Sequence, residues 1–360
     1  MPPFKESVNE GSVRALARRL SAAGAFPARR FTADATRGLE SLELKARIAH
    51  VVGALERHLP GDFAEAARLV EDAVAGSDLG MWSAWPATDW VAAAGLDHPE
   101  IALPLLARLT GVASAEMAIR PFIDRHPART LRQLRTWTSH PDEHVRRLVS
   151  EGSRPRLPWA SRIALLEAEP HLTVPLLDAL REDSSPYVRR SVANHLNDLN
   201  KVDRGLALET ASRWSAQGGQ HVEAVLRHGL RTLVKAGDAE ALGLVGAPPA
   251  RVRLADLEVL TPRVRLGGSL RFRFTVTSQE REPMRAVIDY LVHHRKANGG
   301  TTQKVFKLST RTLAPGAPVT IERAHAIRPI TTRRYYPGEH RVEVQVNGAV
   351  LGGGTFILDP

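Results

Sequence analysis

The sequence predicts a mostly α-helical first part, built from repeated helix pairs, followed by an all-β second part. Apolar residues recur at helical spacing as far as residues 245–249, and they alternate with a period of two after this segment. The segment reads Val-Gly-Ala-Pro-Pro, and its glycine and prolines favour a linker. We therefore predict one domain at residues 1–246 and a second at residues 247–360.

The composition limits the class of protein. The chain has 360 residues, of which 43% are hydrophobic and 24% are charged, as is typical of globular domains. It contains no cysteine, which excludes disulfides, thiolate metal sites and cysteine nucleophiles. No apolar run approaches ~18 residues, and the first ten residues lack an apolar leader stretch. We therefore expect a soluble, cytoplasmic protein.

The charge is unevenly distributed along the chain. The formal net charge is +10, and residues 247–360 alone carry 18 basic and 9 acidic side chains. Most of the cations are arginines, whose guanidinium groups bind phosphates through paired hydrogen bonds. A GC-rich genome produces the same arginine bias. The charge therefore favours a polyanionic partner such as nucleic acid without identifying one.

Two sequence motifs repeat within the helical part. Residues 143–149 resemble residues 186–192 at an offset of 43, and residues 103–106 return as residues 174–177 at an offset of 71. These offsets fit one and two helix-pair repeats of the HEAT kind. Such units stack into a curved solenoid because no single unit can bury its own apolar stripe, and the concave side becomes a groove.

Acidic and basic side chains recur at four-residue spacing on the predicted helices, which places them on one helix face. If the repeats lie in register, one wall of the groove carries alternating cations and carboxylates. Solvated ion pairs give the same pattern and contribute only about 0.3–0.5 kcal/mol each. The spacing alone leaves both interpretations open. The residues are Glu116 with Arg120, Arg147 with Glu151, and the series Arg190, Asn194 and Asp198.

Trp159 follows Leu157 and Pro158, a pattern that predicts the start of a helix. A tryptophan at this place usually packs against the core. Because arginines lie nearby in the sequence, the alternative interpretation is that the Trp159 ring faces nucleic acid. We expect the remaining tryptophans to be packing residues; they are Trp82, Trp85, Trp90, Trp137 and Trp214.

Three blocks of the sequence carry a family resemblance. They are residues 114–122 (SAEMAIRPF), 145–159 (VRRLVSEGSRPRLPW) and 187–198 (YVRRSVANHLND). The chain resembles, over essentially its whole length, the AlkC-type alkylpurine DNA glycosylases of the HEAT-like repeat superfamily that also contains AlkD. This resemblance implies base excision repair of alkylated double-stranded DNA. The implied reaction is hydrolysis of the N-glycosidic bond of cationic methylated bases, chiefly 3-methyladenine and also 3-methylcytosine, on strongly bent DNA and without insertion of the base into a deep pocket.

The resemblance also implies which residues act. A base methylated at N3 is already positive and leaves as a neutral molecule, so positive charge develops on the sugar, where carboxylates stabilise it. Asp198 is our first candidate for water activation, with Glu151 second and Glu116 as electrostatic support. Trp159 would lie against the damaged nucleotide. The candidate phosphate-binding cations of the helical part are Arg120, Arg147, Arg154 and Arg190.

Seven short strands in the second part predict an immunoglobulin-like sandwich. In the absence of cysteine, this sandwich must be held together by packing. A subset of AlkC-type enzymes is similar in having such a domain, which implies that it helps to close around DNA. Arg333 and Arg334, in a predicted loop, are candidates for backbone or minor-groove contact, and a solvated loop is the alternative. The predicted strands are residues 252–260, 269–278, 286–293, 303–310, 319–324, 340–346 and 350–358.

The competing function is a noncatalytic HEAT-repeat scaffold that binds nucleic acid or protein. Repeats and positive charge fit both functions, and the three acids at the motif positions favour the enzyme. The sequence lacks a Walker loop, a dinucleotide fingerprint and metal-binding spacing. We therefore expect an enzyme that needs no cofactor and acts as a monomer.

Overall fold

The computed structural model describes residues 3–330 and 333–360. Helices extend as far as Leu244 and strands begin at Val252. The predicted fold class, mostly α-helical repeats followed by an immunoglobulin-like sandwich, is confirmed. The chain forms two compact units, one containing the residues up to Ala207 with Gly219–Val225, the other Leu208–Gly218 with Leu226–Pro360.

The helical part alternates helices with short turns. No helix of the described residues is long and apolar enough to cross a membrane. The α-helices are α1 (Glu10–Ala23), α2 (Ala28–Thr36), α3 (Leu44–His58), α4 (Phe63–Val74), α5 (Met81–Ala94), α6 (Pro99–Leu109), α7 (Arg120–Arg125), α8 (Pro127–Trp137), α9 (Glu143–Gly152), α10 (Ala164–Ala168), α11 (Val174–Leu180), α12 (Pro186–Val202), α13 (Arg204–Gln217), α14 (Val222–Gly229), α15 (Arg231–Ala236) and α16 (Ala239–Leu244). Short 3₁₀ helices lie at Phe4–Ser7, Leu39–Ser41 and Pro170–Thr173.

Helices α9 and α12 begin at the two copies of the repeated motif. The Asp142 carboxylate accepts a hydrogen bond from the backbone N–H of His144 (2.8 Å), and the Ser185 hydroxyl accepts one from the N–H of Tyr187 (3.2 Å). These caps satisfy N–H groups that have no partner within the helix. The two helices then pack against each other through their buried apolar faces, which include Leu148 and Val192. The polar residues of α9 and α12 that lie beside these apolar faces are therefore close to one another.

The second part forms two sheets with strand orders β1-β3-β6 and β2-β8-β7-β4-β5. All seven predicted strands are present, and the three-residue strand β2, too short to show alternation, was not predicted. Pairing is antiparallel except between β2 and β8. The strands are β1 (Val252–Val259), β2 (Arg263–Arg265), β3 (Ser269–Ser278), β4 (Met284–Arg295), β5 (Thr301–Leu313), β6 (Pro318–Ala326), β7 (Gly338–Val346) and β8 (Ala349–Asp359).

Aromatic and branched side chains fill the core of the sandwich, as expected for a domain without disulfides. Phe272, Phe274, Tyr290 and Phe356 are all at most 1% exposed. The Asn347-Gly348 turn joins β7 to β8 with positive φ at both residues (45° and 82°), which an Asn-Gly pair adopts readily and which matches the twist of a two-residue hairpin.

Candidate active site

Three different elements carry the three predicted acids. Glu151 lies in the last turn of α9, Asp198 on α12, and Glu116 in the turn at residues 115–119 that precedes α7. A Cβ at Gly152 would lie 2.4 Å from Cγ2 of Ile119, so glycine is what lets the end of α9 approach this turn. The prediction that Glu116 and Arg120 share a helix face is wrong, because the helix begins only at Arg120.

Arg154 joins two of the acids directly. Its Nη1 donates to Oε1 of Glu151 at 2.5 Å, and its Nε donates to Oδ2 of Asp198 at 2.7 Å. On its other side, Asp198 accepts a hydrogen bond from Nζ of Lys201 at 3.1 Å. The Glu151 and Asp198 side chains are 7% and 1% exposed, so their contacts with Arg154 are shielded from water. The structure therefore brings the two acids together, as the sequence predicted.

Arg147 joins the third acid to the same group. Its Nη1 donates to Oε2 of Glu116 and, at 2.7 Å, to the Ser114 hydroxyl, and its Nη2 lies 3.6 Å from Oε1 of Glu151. The guanidinium also lies over the Tyr187 ring, 5.1 Å from its centroid. Carboxylates and cations thus alternate in what we term the ion-pair chain. Its members, in order, are Glu116, Arg147, Glu151, Arg154, Asp198 and Lys201.

Two serines fix the orientation of Glu151. The Ser191 hydroxyl donates to Oε2 of Glu151 at 2.6 Å, and the Ser150 hydroxyl donates to Ser191. Burial lowers the pKa of the neighbouring His195 to about 4, so this imidazole is neutral near pH 7, with Nδ1 2.9 Å from the Ser150 carbonyl. Sequence reasoning missed this arrangement: Ser191 lies within the motif copy at residues 186–192, whereas Ser150 directly follows the copy at residues 143–149.

Electrostatics keep Arg154 charged inside this group. Burial disfavours its cation, but Glu151 and Asp198 more than offset that cost and raise the pKa of Arg154. Every carboxylate of the ion-pair chain has a cation as a neighbour, and every internal cation has two carboxylates. Such a group can exchange partners when a further anion, such as a phosphate, enters it.

Arg120 has a different role from the expected phosphate contact. Its side chain is buried, and its Nη1 donates to the carbonyls of Gly152 (2.9 Å) and Arg154 (2.7 Å), while its Nη2 donates to that of Ser161 (2.8 Å). Burial, followed by the nearby Arg154 cation, lowers its pKa to about 10. We therefore correct its assignment from DNA binding to holding the loop at residues 153–163.

Trp159 projects from this loop into solvent. The prediction of a helix start at this point is wrong: the residue lies in a turn with φ of +66°, and α10 begins only at Ala164. Its ring is 55% exposed, and its carbonyl accepts a hydrogen bond from Nζ of Lys45. Lys45 and Arg120 therefore hold the backbone of this loop on two sides.

Trp159 lines a cavity of about 370 Å³, here termed the acid-lined cavity, together with Glu116 and Glu151. Trp82 and Trp85 stack in the wall of this cavity with their ring centroids 5.6 Å apart. The prediction that these two tryptophans only pack the core is wrong. Their three-residue spacing, which places both rings on one side of α5, was the signal. Trp90, Trp137 and Trp214 are buried, as predicted.

The remaining predicted cations lie on exposed or partly exposed surfaces. Arg190 is exposed on α12. In the loop before β7, Arg333 donates from Nη1 to Nε2 of His294 at 2.7 Å, and Arg334 lies over the Tyr336 ring at 5.6 Å. In the described ranges 3–330 and 333–360, no three His, Cys, Asp or Glu side chains are grouped so as to hold a metal ion.

Comparisons with known proteins agree with this architecture. Residues 253–360 match the family described as the C-terminal Ig-like domain of uncharacterised protein YhaZ. The chain is 36% identical over 316 residues to the uncharacterized protein YhaZ of Bacillus subtilis (strain 168), covering 88% of this chain and 87% of that protein. It also matches the structure of Pseudomonas fluorescens alkylpurine DNA glycosylase AlkC bound to DNA containing an abasic site analog.

The match to AlkC has a TM-score of 0.92 and 38% sequence identity, and it covers 100% of both chains. Agreement of this extent, through the helical repeats and the sandwich alike, places the protein among the helical-repeat DNA glycosylases. Within that class, the chain belongs to the AlkC-type alkylpurine DNA glycosylase family.

Proposed function

We propose that this chain hydrolyses the N-glycosidic bond of cationic N3-methylated bases in double-stranded DNA, with 3-methyladenine and 3-methylcytosine as substrates. The observation that carries the proposal is the ion-pair chain, in which carboxylates from three separate elements are held next to the acid-lined cavity. A noncatalytic scaffold has no need for buried acids at this place, because their desolvation is costly.

The chemistry needs anionic groups more than it needs a general acid. The methylated base leaves as a neutral molecule, whereas the sugar acquires oxocarbenium character as the bond breaks. Glu116 and Glu151 line the acid-lined cavity and would stabilise that charge through space. Ser191 holds Glu151 in position, so little reorganisation is needed during the reaction.

Asp198 remains our candidate for activating the attacking water. Without DNA its carboxylate is engaged by Arg154 and Lys201 and is 1% exposed. We propose that a DNA phosphate draws Arg154 away from Asp198, because a phosphate accepts the same paired hydrogen bonds from a guanidinium. The freed carboxylate would then accept a proton from a water molecule beside the sugar.

Binding to DNA would involve both parts of the chain. In this proposal residues 1–246 form the catalytic domain and residues 247–360 a DNA-contacting domain. Trp159, exposed at the acid-lined cavity, would lie against the damaged nucleotide. The enzyme would act as a monomer in the cytoplasm. The proposed DNA contacts are Arg147, Arg154 and Arg190 in the first domain, and Arg333 and Arg334 in the second.

An excision assay on methylated duplex DNA tests the proposal. The parent protein should release 3-methyladenine, and Asp198→Ala should abolish or strongly reduce the release. Asp124→Asn, an exposed acid on the neighbouring helix α7, is the matched control and should act like the parent. If the parent protein binds DNA but releases no base, the scaffold function is correct instead.

A further inference from the structure

A second cavity, of about 440 Å³, shares Trp85, Met117 and Trp159 with the acid-lined cavity. Its other walls come from α3 and α5 and from the loop that carries Trp159. Its volume is within the range of small-molecule sites in proteins, roughly 300–1,000 Å³.

The charges that line this second cavity cancel. Lys45 and Arg120 contribute two cations, and Glu56 and Asp89 contribute two acids. Arg120 is already engaged by three backbone carbonyls, and Lys45 by the Trp159 carbonyl. We term this space the neutral cavity. Its lining gives no electrostatic preference for a phosphate or another anion and fits an uncharged ligand better.

Asp89 is the polar group of the neutral cavity that suits a heteroaromatic ligand. Burial raises its pKa to about 6, and Trp85 and Lys45 partly oppose this effect. A carboxylate accepts hydrogen bonds from amino and ring N–H groups, and the protonated acid can also donate one. Trp85 and Trp159, which line the same space, offer aromatic faces against which a planar ring can stack.

We propose that the neutral cavity binds the free methylated base after it leaves the sugar. This inference rests on the proposed function, in which the base departs as a neutral, planar heterocycle with an exocyclic amino group. Asp89 accepts a hydrogen bond from that amino group, and the tryptophans stack on the ring. Trp85, Met117 and Trp159 line both cavities, so the proposed site for the base adjoins the acid-lined cavity.

Binding of free 3-methyladenine to the DNA-free protein tests this inference separately from catalysis. Titration calorimetry measures the affinity, and tryptophan fluorescence reports contact with the aromatic walls. The parent protein should bind the base. Asp89→Leu should weaken binding about tenfold or more, as expected for losing a hydrogen bond to a charged group. Ala49→Phe, at an exposed position in the lining, should block the cavity and weaken binding without disturbing the core.

Met81→Ala is the contrasting variant, because Met81 lines the acid-lined cavity, does not line the neutral cavity and is 43% exposed. It should leave the affinity for the free base unchanged. The inference is overturned if the parent does not bind the base, or if Met81→Ala abolishes binding while Asp89→Leu and Ala49→Phe do not. Base release from methylated DNA, measured on the parent protein in parallel, shows separately whether the proposed function holds.

Discussion

Replacing Arg154 by methionine removes the cation that joins Glu151 to Asp198. Both acids are almost completely buried, and the Arg154 side chain is only 9% exposed, so solvent does not replace the lost contacts. Removing one partner from a buried ion pair typically costs about 3–5 kcal/mol. Lys201 still contacts Asp198 and Ser191 still contacts Glu151, so we expect the lower end, about 3 kcal/mol.

Urea unfolding followed by circular dichroism measures this loss. Arg162→Met is the matched control, since Arg162 forms a surface pair with Glu167, is 65% exposed and should contribute less than about 1 kcal/mol. The double variant Arg154→Met/Asp198→Asn should lose less stability than the two single variants lose together, because it leaves no unpaired aspartate. A loss for Arg154→Met equal to that of the surface control would show that the buried pairs stabilise the fold no more than an exposed pair does.

The remaining predictions concern DNA binding, loop position and pH. Arg147→Ala should weaken DNA affinity, measured by fluorescence anisotropy, and should reduce the slope of log affinity against log salt concentration by about one. An unchanged slope would show that Arg147 does not contact a phosphate. Arg120→Met should lower stability without changing that slope, because the partners of Arg120 are backbone carbonyls. A reduced slope would instead show that Arg120 contacts a DNA phosphate. Desolvation and Arg333 lower the pKa of His294 to about 3. Between about pH 3 and 6.5 the unfolded chain therefore binds one proton more than the folded chain at this histidine. The free energy of unfolding falls as the pH falls through this range. His294→Asn should reduce the slope of unfolding free energy against pH there by about one proton, about 1.4 kcal/mol per pH unit, and an unaltered slope contradicts the assignment.

The sequence predicted those features whose signals are local. Helices α9 and α12 have capping residues and clear apolar faces, the first six residues of β3 alternate between exposed and buried, and an Asn-Gly turn joins β7 to β8. The convergence of Glu151 and Asp198 could also be predicted, because the offset of 43 places Glu151 beside Asn194, and Asp198 lies one helical turn further along.

Features that depend on distant partners could not be predicted from the same signals. Glu116 pairs with Arg147 across 31 residues and not with Arg120 four positions away, because the helix begins too late for the nearer pair. Trp159 adopts positive φ in a loop held by Lys45 and Arg120, and neither contact has a signature in local spacing. The acid-lined cavity likewise depends on how the helices and loops around it pack.

The most direct test is a crystal structure of this protein with DNA that contains an abasic-site analogue. We predict that Glu116, Glu151 and Asp198 surround the analogue, with one carboxylate within about 2.6–3.2 Å of a water beside its anomeric carbon. We also predict that Arg154 contacts a phosphate instead of Asp198. An analogue bound away from these acids, with the ion-pair chain unchanged, would contradict this prediction.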